Sequence, residues 1–528
     1  MDSKRFRGLC RLSDLPEGRL ATGKVGSKEF LLLRRGEGVL ISGNKCPHHG
    51  ARLSDGLAFG TEVVCPCHNA RFDLVSGRVL SPPALDDIPV YHTDRRDDEI
   101  LVGPVRENQT PCLPSMSGQG GQSNDTILIV GAGAAGNAAA ETLRREGYEG
   151  KVLMLTGEPD LPYDRTALSK GLLSGAVGME ELPLRSQEYY DAMGIEVLTS
   201  CPVRSIEPRE RIVVLRDGST IGYDMLLLAT GGAPRRLEVP GVGLPGCHYL
   251  RSRRDAAEIL ESLACAGSSV VVGAGFIGLE VASVLRNRGM SVQVVAPENL
   301  PMCDTLGEEL GRWLQDRHVS RGVGFSLGRS VREIRGSGRV EDVVLSDGSS
   351  LEADVVIIGV GIEPAVDYLG GTDLVRDGAV AVDNRLSTAL PGIYAAGDLA
   401  AVAQPGGKAT RIEHWVEAER QGKLAAQSML GKAEVYRSVP FFWSEQQGVT
   451  LKCVGLPAAD YRRIARGSVE GEDFLVGFFD GSLFKAAVSV GRDGDLIAAG
   501  QLIRRSTGIT PEQFRGAQTD LGELAASV

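Results

Sequence analysis

One short stretch gathers three cysteines and three histidines, residues able to bind a transition metal. Residues 46–73 read CPHHGARLSDGLAFGTEVVCPCHNARFD and contain Cys46, His48, His49, Cys65, Cys67 and His68. The pattern is Cys46-x-His48, sixteen intervening residues, then Cys65-x-x-His68. Thiolates and imidazoles together bind zinc or iron. A structural zinc site usually places like ligands together, as C-x2-C and then H-x3-H. Here each half supplies one Cys and one His. That suits a [2Fe–2S] cluster with both thiolates on one iron and both imidazoles on the other. The C-x-x-C-H signature of haem attachment is absent. The remaining histidines, His49, His92, His248, His318 and His414, show no metal-ligand spacing. A mononuclear iron that activates oxygen through two histidines and a carboxylate is therefore not expected.

Two glycine fingerprints supply a second kind of chemistry. Gly131, Gly133 and Gly136 follow the apolar run TILIV and open an amphipathic helical pattern. Gly273, Gly275 and Gly278 repeat the arrangement after SVVV. Such turns let a helix N-terminus approach a pyrophosphate, and an acid ~20 residues on can take a ribose hydroxyl. Glu158 stands at that distance from the first fingerprint. Two copies of one βαβ unit imply two dinucleotide sites. NADPH sites usually place Arg or Lys after the second strand, and residues 296–311 contain neither. Glu298 is acidic there, which favours NADH.

The Cys/His stretch resembles the two cluster loops of a Rieske iron–sulfur domain, over about the first 100 residues. The resemblance implies that Cys46 and Cys65 hold the inner iron and His48 and His68 the outer one, with His49 as a neighbour. High-potential members carry an extra cysteine in each loop, joined as a disulfide. Cys67 occupies the second such position but Ala51 the first, so a low-potential ferredoxin type is implied.

Residues 125–500 resemble ferredoxin reductases and apoptosis-inducing-factor-like flavoproteins. LPYDRTALSK places Arg165 and Lys170 near FAD, with Thr166 and Ala167 where the family has prolines. YLRS implies Arg251 on the FAD pyrophosphate, and IYAAGD implies Asp398 at the ribityl chain. Glu280, in GFIGLE, is expected to pair with Lys170 beside flavin and nicotinamide. IEHWVEAERQG resembles the stretch that holds a tryptophan where a Rieske ferredoxin docks. Trp415 is thus expected between FAD and the outer histidines, with Glu413 and His414 in the same pocket and Trp443, of FFWSEQ, near the flavin. Ala135, Val203, Ile277 and Gly361 complete the residues expected to line the cofactors. The family's acid often stands at Ala296, so the reading of Glu298 departs from the pattern. Residues 137–169 contain no cysteine, which argues against dithiol and cysteine-peroxidase chemistry.

These sites require a multidomain frame. The expected order is an all-β Rieske domain (1–103), a flexible linker (104–124), a FAD-binding domain (125–250 and 369–433), an NAD(H)-binding domain (251–368) and a small C-terminal α+β domain (434–528). The middle domains are α/β, of the glutathione-reductase type. A linker of ~20 residues reaches ~25 Å and would let the Rieske domain swing to a second partner. The formal net charge of −11 disfavours nucleic acid and anionic membranes. No apolar run approaches the ~18 residues of a membrane helix, and the start lacks a signal-peptide core, so a cytoplasmic location is expected. Ten cysteines are too sparse for a disulfide scaffold. A monomer or homodimer is expected. The function implied is electron transfer from NADH through FAD to the intrinsic cluster and on to a partner, a Rieske oxygenase or a cytochrome P450. The alternative is an NADH-responsive, redox-sensing interaction protein.

Overall fold

The computed structural model describes residues 6–106, 125–403, 409–432, 434–506, 508–516 and 518–527. The expected linker, apart from its first three residues, lies outside them. Among the described residues no helix is long and apolar enough to cross a membrane.

The N-terminal head is built from small antiparallel sheets. Its strand Lys28–Arg35 carries apolar side chains at successive positions because both faces are covered. Leu31 and Leu33 pack with Cys46, Cys65 and Phe72, while Phe30 and Leu32 pack with Tyr91 and Ile100. Four short strands bear the metal loops: β1 (Leu57–Phe59), β2 (Glu62–Val64), β3 (Arg71–Asp73) and β4 (Val79–Ser81), paired in sequence order. The two loops close alike. Cys46 N–H donates to Ala51 O at 2.8 Å, and Cys65 N–H to Ala70 O at 2.8 Å. The fifth residue of each turn is left-handed, Gly50 at φ +73° and Asn69 at φ +62°. Glycine and asparagine tolerate that conformation best.

After the head come two parallel sheets with the same plan. In the first, β5 (Thr126–Val130) lies beside β6 (Lys151–Leu155), with helix α1 (Ala134–Arg145) between them in sequence. In the second, β7 (Ser268–Val272) lies beside β8 (Ser291–Ala296), joined through α2 (Phe276–Asn287). Both central strands are buried along their length, as expected for parallel strands covered on both faces. The strand Ile393–Ala395 returns to the first sheet. Cys247–Tyr249 pairs into the second sheet, a few residues ahead of the expected boundary at 251. Helix α3 (Trp415–Met429) crosses α1 closely at Gly422, where an added Cβ would stand 2.1 Å from Ala135 O.

The C-terminal domain is a five-stranded antiparallel sheet whose edge strand is β9 (Phe441–Gln446), backed by α4 (Asp493–Arg504) and flanked by α5 (Leu521–Ala526). The head is seated on this domain and on the first α/β domain. Phe59 and Val64 of the head share one apolar core with Val416, Phe441, Leu496 and Leu521. Buried Arg71 of β3 donates to Gln501 of α4 at 3.1 Å. Lys452 donates to Pro66 O of the second metal loop at 2.9 Å and pairs with Asp493 at 2.8 Å. On another side, Asp86 pairs with Arg185 at 2.8 Å and Asp87 with Arg145 at 3.5 Å.

Candidate active site

A cavity of about 770 Å³ runs between the two glycine fingerprints. The glycines explain its walls. Gly131 has φ +110°, and a Cβ there would lie 2.2 Å from Ala229 O. Gly273 is its counterpart, at φ +109° and 2.3 Å from Gly359 O. At Gly136 and Gly278 an added Cβ would strike the backbone of Gly131 and Gly273, so these glycines let helix and strand pack. Gly133 and Gly275 are different. A Cβ there would meet nothing within 4 Å. Both are helix N-caps without a side-chain cap, so the first N–H groups of α1 and α2 are left for a ligand. An anionic pyrophosphate fits both turns. Ile277, 46% exposed on the first turn of α2, offers an apolar surface at the second.

Three charged pairs line the cavity, and a fourth reaches it through Glu413. Glu158 pairs with Arg165 and also accepts from the Tyr163 hydroxyl at 2.6 Å. Arg251 meets Asp398 at 3.0 Å, joining the YLRS and IYAAGD segments. Glu413 pairs with Arg411, and burial pushes its carboxyl up. Lys170 and Glu280 pair at 3.0 Å, well inside the protein rather than on its surface. Glu280 also accepts from Ser169 Oγ at 2.6 Å and Ser444 Oγ at 2.7 Å. Ser444 in turn accepts from Gln446 Nε2 at 3.0 Å, and Gln446 Oε1 lies 3.3 Å from His318 Nε2. Lys170 sits on a short wide-turned helix, Leu168–Leu172, that follows a turn capped by Asp164. The cap receives the Thr166 N–H at 2.8 Å, a bond that the family's proline could not make. Ala135, Val203, Gly361, His414 and Trp443 also face the cavity, while Glu298 lies outside its lining. His414 starts α3 with its ring 4.5 Å from Phe442, and burial holds its pKa down at about 4.

The metal-loop residues converge at the tip of the head. Cys46 and Cys65 are 2% and 1% exposed. Their thiols are in contact, which lowers the pKa of Cys46 and raises that of Cys65. His48 Nδ1 and His68 Nδ1 stand 3.0 Å apart. Burial pushes their pKa values down to about 3 and about 2, so both rings are neutral, the form that ligates metal. Two buried sulfurs on one side and two neutral imidazoles on the other fit a [2Fe–2S] cluster. His49 is exposed, with its ring 3.9 Å from His48. Cys67 is free.

One expectation is corrected. The tryptophan against the histidines is Trp443, not Trp415. The Trp443 ring lies 4.3 Å from His68 and 6.3 Å from His48. Trp415 also lines the cavity, but its ring packs with the core of the first α/β domain, because α3 is held against α1. Strand β9 passes between the metal loops and the cavity, so Trp443 occupies the shared wall.

The pyridine nucleotide-disulphide oxidoreductase description matches residues 125–422, the Rieske [2Fe-2S] domain residues 6–92 and the reductase C-terminal domain residues 441–525. This chain belongs to the pyridine nucleotide-disulphide oxidoreductase family. Apoptosis-inducing factor 3 of Homo sapiens is 33% identical over 94% of this chain and 84% of its own length. The benzene 1,2-dioxygenase system ferredoxin–NAD(+) reductase subunit of Pseudomonas putida is 33% identical, over 75% of this chain and 97% of its own. The solved ferredoxin reductase for the CYP199A2 system from Rhodopseudomonas palustris aligns at TM-score 0.74 and 34% identity, over 76% of this chain and all of that one. The chain is thus an oxidoreductase of the ferredoxin-reductase type that uses FAD and NAD(P)H and carries a Rieske [2Fe–2S] head.

Within this family site, several contributors lie inside the resembling stretches yet were not expected to act there. Ser169, Ser444 and Gln446 hold Glu280, and Glu419 lies fully buried beside Trp415 with its carboxyl pushed well up by burial. The only signal for Ser444 was its place beside Trp443 on a strand, where neighbours face opposite ways.

Proposed function

We propose that this oxidoreductase takes electrons from NADH and passes them through FAD to its own Rieske cluster, and from there to a partner oxygenase. The observation that carries the reading is the 4.3 Å contact between His68 and Trp443, a residue that also lines the dinucleotide cavity. When bound, FAD supplies the conversion of a two-electron hydride into single electrons. The protein's own part is orientation and electrostatics. The bare N–H groups beyond Gly133 and Gly275 hold two pyrophosphates. Lys170, fixed by Glu280, keeps a cation on the cavity wall, with its Nζ 5.9 Å from the Trp443 ring. Burial keeps His48 and His68 unprotonated for the outer iron, and Cys46 and Cys65 hold the inner one. NADH is the favoured donor, since residues 296–311, which follow β8, contain no Arg or Lys. Arg329, whose N–H bonds Ala296 O, has its guanidinium held by Asp347 at 2.7 Å.

An oxygenase as acceptor is supported by the relative named for a dioxygenase system. The test is stopped-flow spectroscopy with NADH. Reduction of flavin followed by loss of the oxidised cluster bands is expected, and Cys65→Ser should abolish cytochrome c reduction while flavin is retained. Bleached flavin beside a cluster that stays oxidised would overturn the reading. The match to apoptosis-inducing factor 3, which extends into the head, favours the sensing alternative as a second reading. Negligible turnover together with an NADH-dependent change of oligomeric state would establish it.

A further inference from the structure

The sequence alone suggests a head that swings on its linker. The seat suggests otherwise. We propose that the head is a resident domain: it takes electrons at His68 and gives them up at the open rim of its first metal loop, beside His49, to an acidic-faced acceptor protein, without leaving the reductase. The proposal rests on the electron path given under Proposed function.

Three observations carry it. First, the seat has the character of an interior. Val64 is fully buried in a core that includes residues of both α3 and the C-terminal domain, and Phe59 is nearly so. Obligate interfaces are built in this way, whereas transient ones are more polar. Second, buried cations span the seam. Arg71 and Lys452 are both buried, and they reach Gln501 and Pro66 O across it. Third, the first metal loop keeps an open rim. His68 faces Trp443, whereas His49, Lys45, Pro47 and Arg52 of the first metal loop are exposed.

That loop has a charge character. Residues 43–54 contain no acid. Glu29, which pairs with Arg52, is shared with Lys24. Lys45 stands unopposed by any ion pair among the described residues, so the rim suits an acidic contact face. The electron count is simple. One electron leaves the reduced cluster for each oxidised acceptor, and two acceptors are reduced per NADH.

Hydrogen exchange on the full holoprotein tests the seat. The segments 57–64, 493–504 and 521–526 should keep the same protection before and after NADH reduction. Loss of protection in all three on reduction, while the cluster bands bleach, would show a moving head and overturn the proposal. The exit is tested with cytochrome c, a cationic one-electron acceptor. Lys45→Glu should raise kcat/KM threefold or more at low salt, with the gain disappearing at high salt. Arg254→Glu, an exposed site outside the head, should change nothing. Equal rates for Lys45→Glu and the parent would place the exit elsewhere and overturn that half. A cluster that never bleaches would instead overturn the electron path beneath both.

Discussion

Glu280 shows how much of this site is decided by single side chains. It is buried and makes three contacts, to Lys170, Ser169 and Ser444. Removing one member of a buried pair leaves the other charge uncompensated, at a cost of about 3 kcal/mol. Glu280→Ala should therefore lower the thermal midpoint clearly, whereas Ser444→Ala, which removes one hydrogen bond, should cost only about 1 kcal/mol. His318 gives a pH signature. Burial holds its pKa down at about 4, against 6.5 in the unfolded chain. The unfolded state therefore binds a proton that the folded state refuses between those values. Stability is fully present above about pH 6.5 and falls as pH drops toward about 4, by about 3 kcal/mol for this group. Urea titrations at pH 7 and pH 5 should show the loss, and His318→Gln should remove this share of it. On the reading proposed above, nucleotide choice turns on the pairing of Arg329 with Asp347. Asp347→Asn should free Arg329 and raise kcat/KM for NADPH severalfold, with NADH little changed.

At the scale of elements, the glycine fingerprints and the metal loops were legible because local geometry fixes them. A turn that must touch a pyrophosphate needs glycine, and a cluster needs its sulfurs and imidazoles within a few residues. The placement of Trp443 was not legible. It depends on which face of β9 meets a domain some 370 positions earlier in the chain, and the strand's own pattern says nothing of that. The same holds for Arg71, Asp86 and Arg185, ordinary charged residues until the seat brings them together. The contact of α1 with α3 gives a prediction at this scale. Gly422→Ala would drive a methyl into Ala135 O, at a cost of about 2 kcal/mol. Since α1 opens at the first fingerprint, the variant should also release FAD more readily on dilution, measured by flavin fluorescence.

On the scale of the whole molecule, the head and the C-terminal domain share a core. They should melt together. Phe59→Ala should cost about 3 kcal/mol and lower the melting transition of both, followed by cluster absorbance and by far-ultraviolet circular dichroism. Two separated transitions in the parent protein would contradict the shared core. The domain order itself was readable from changes of texture along the chain, but the seat was not, since it joins residues with no common pattern.

Val64, at the centre of that shared core, is followed directly by Cys65. The second metal loop thus adjoins the seat directly, and a ligand at Cys65 would brace the backbone on which Val64 stands. Removal of iron should therefore be felt in the shared core, as faster limited proteolysis of the apoprotein than of the holoprotein.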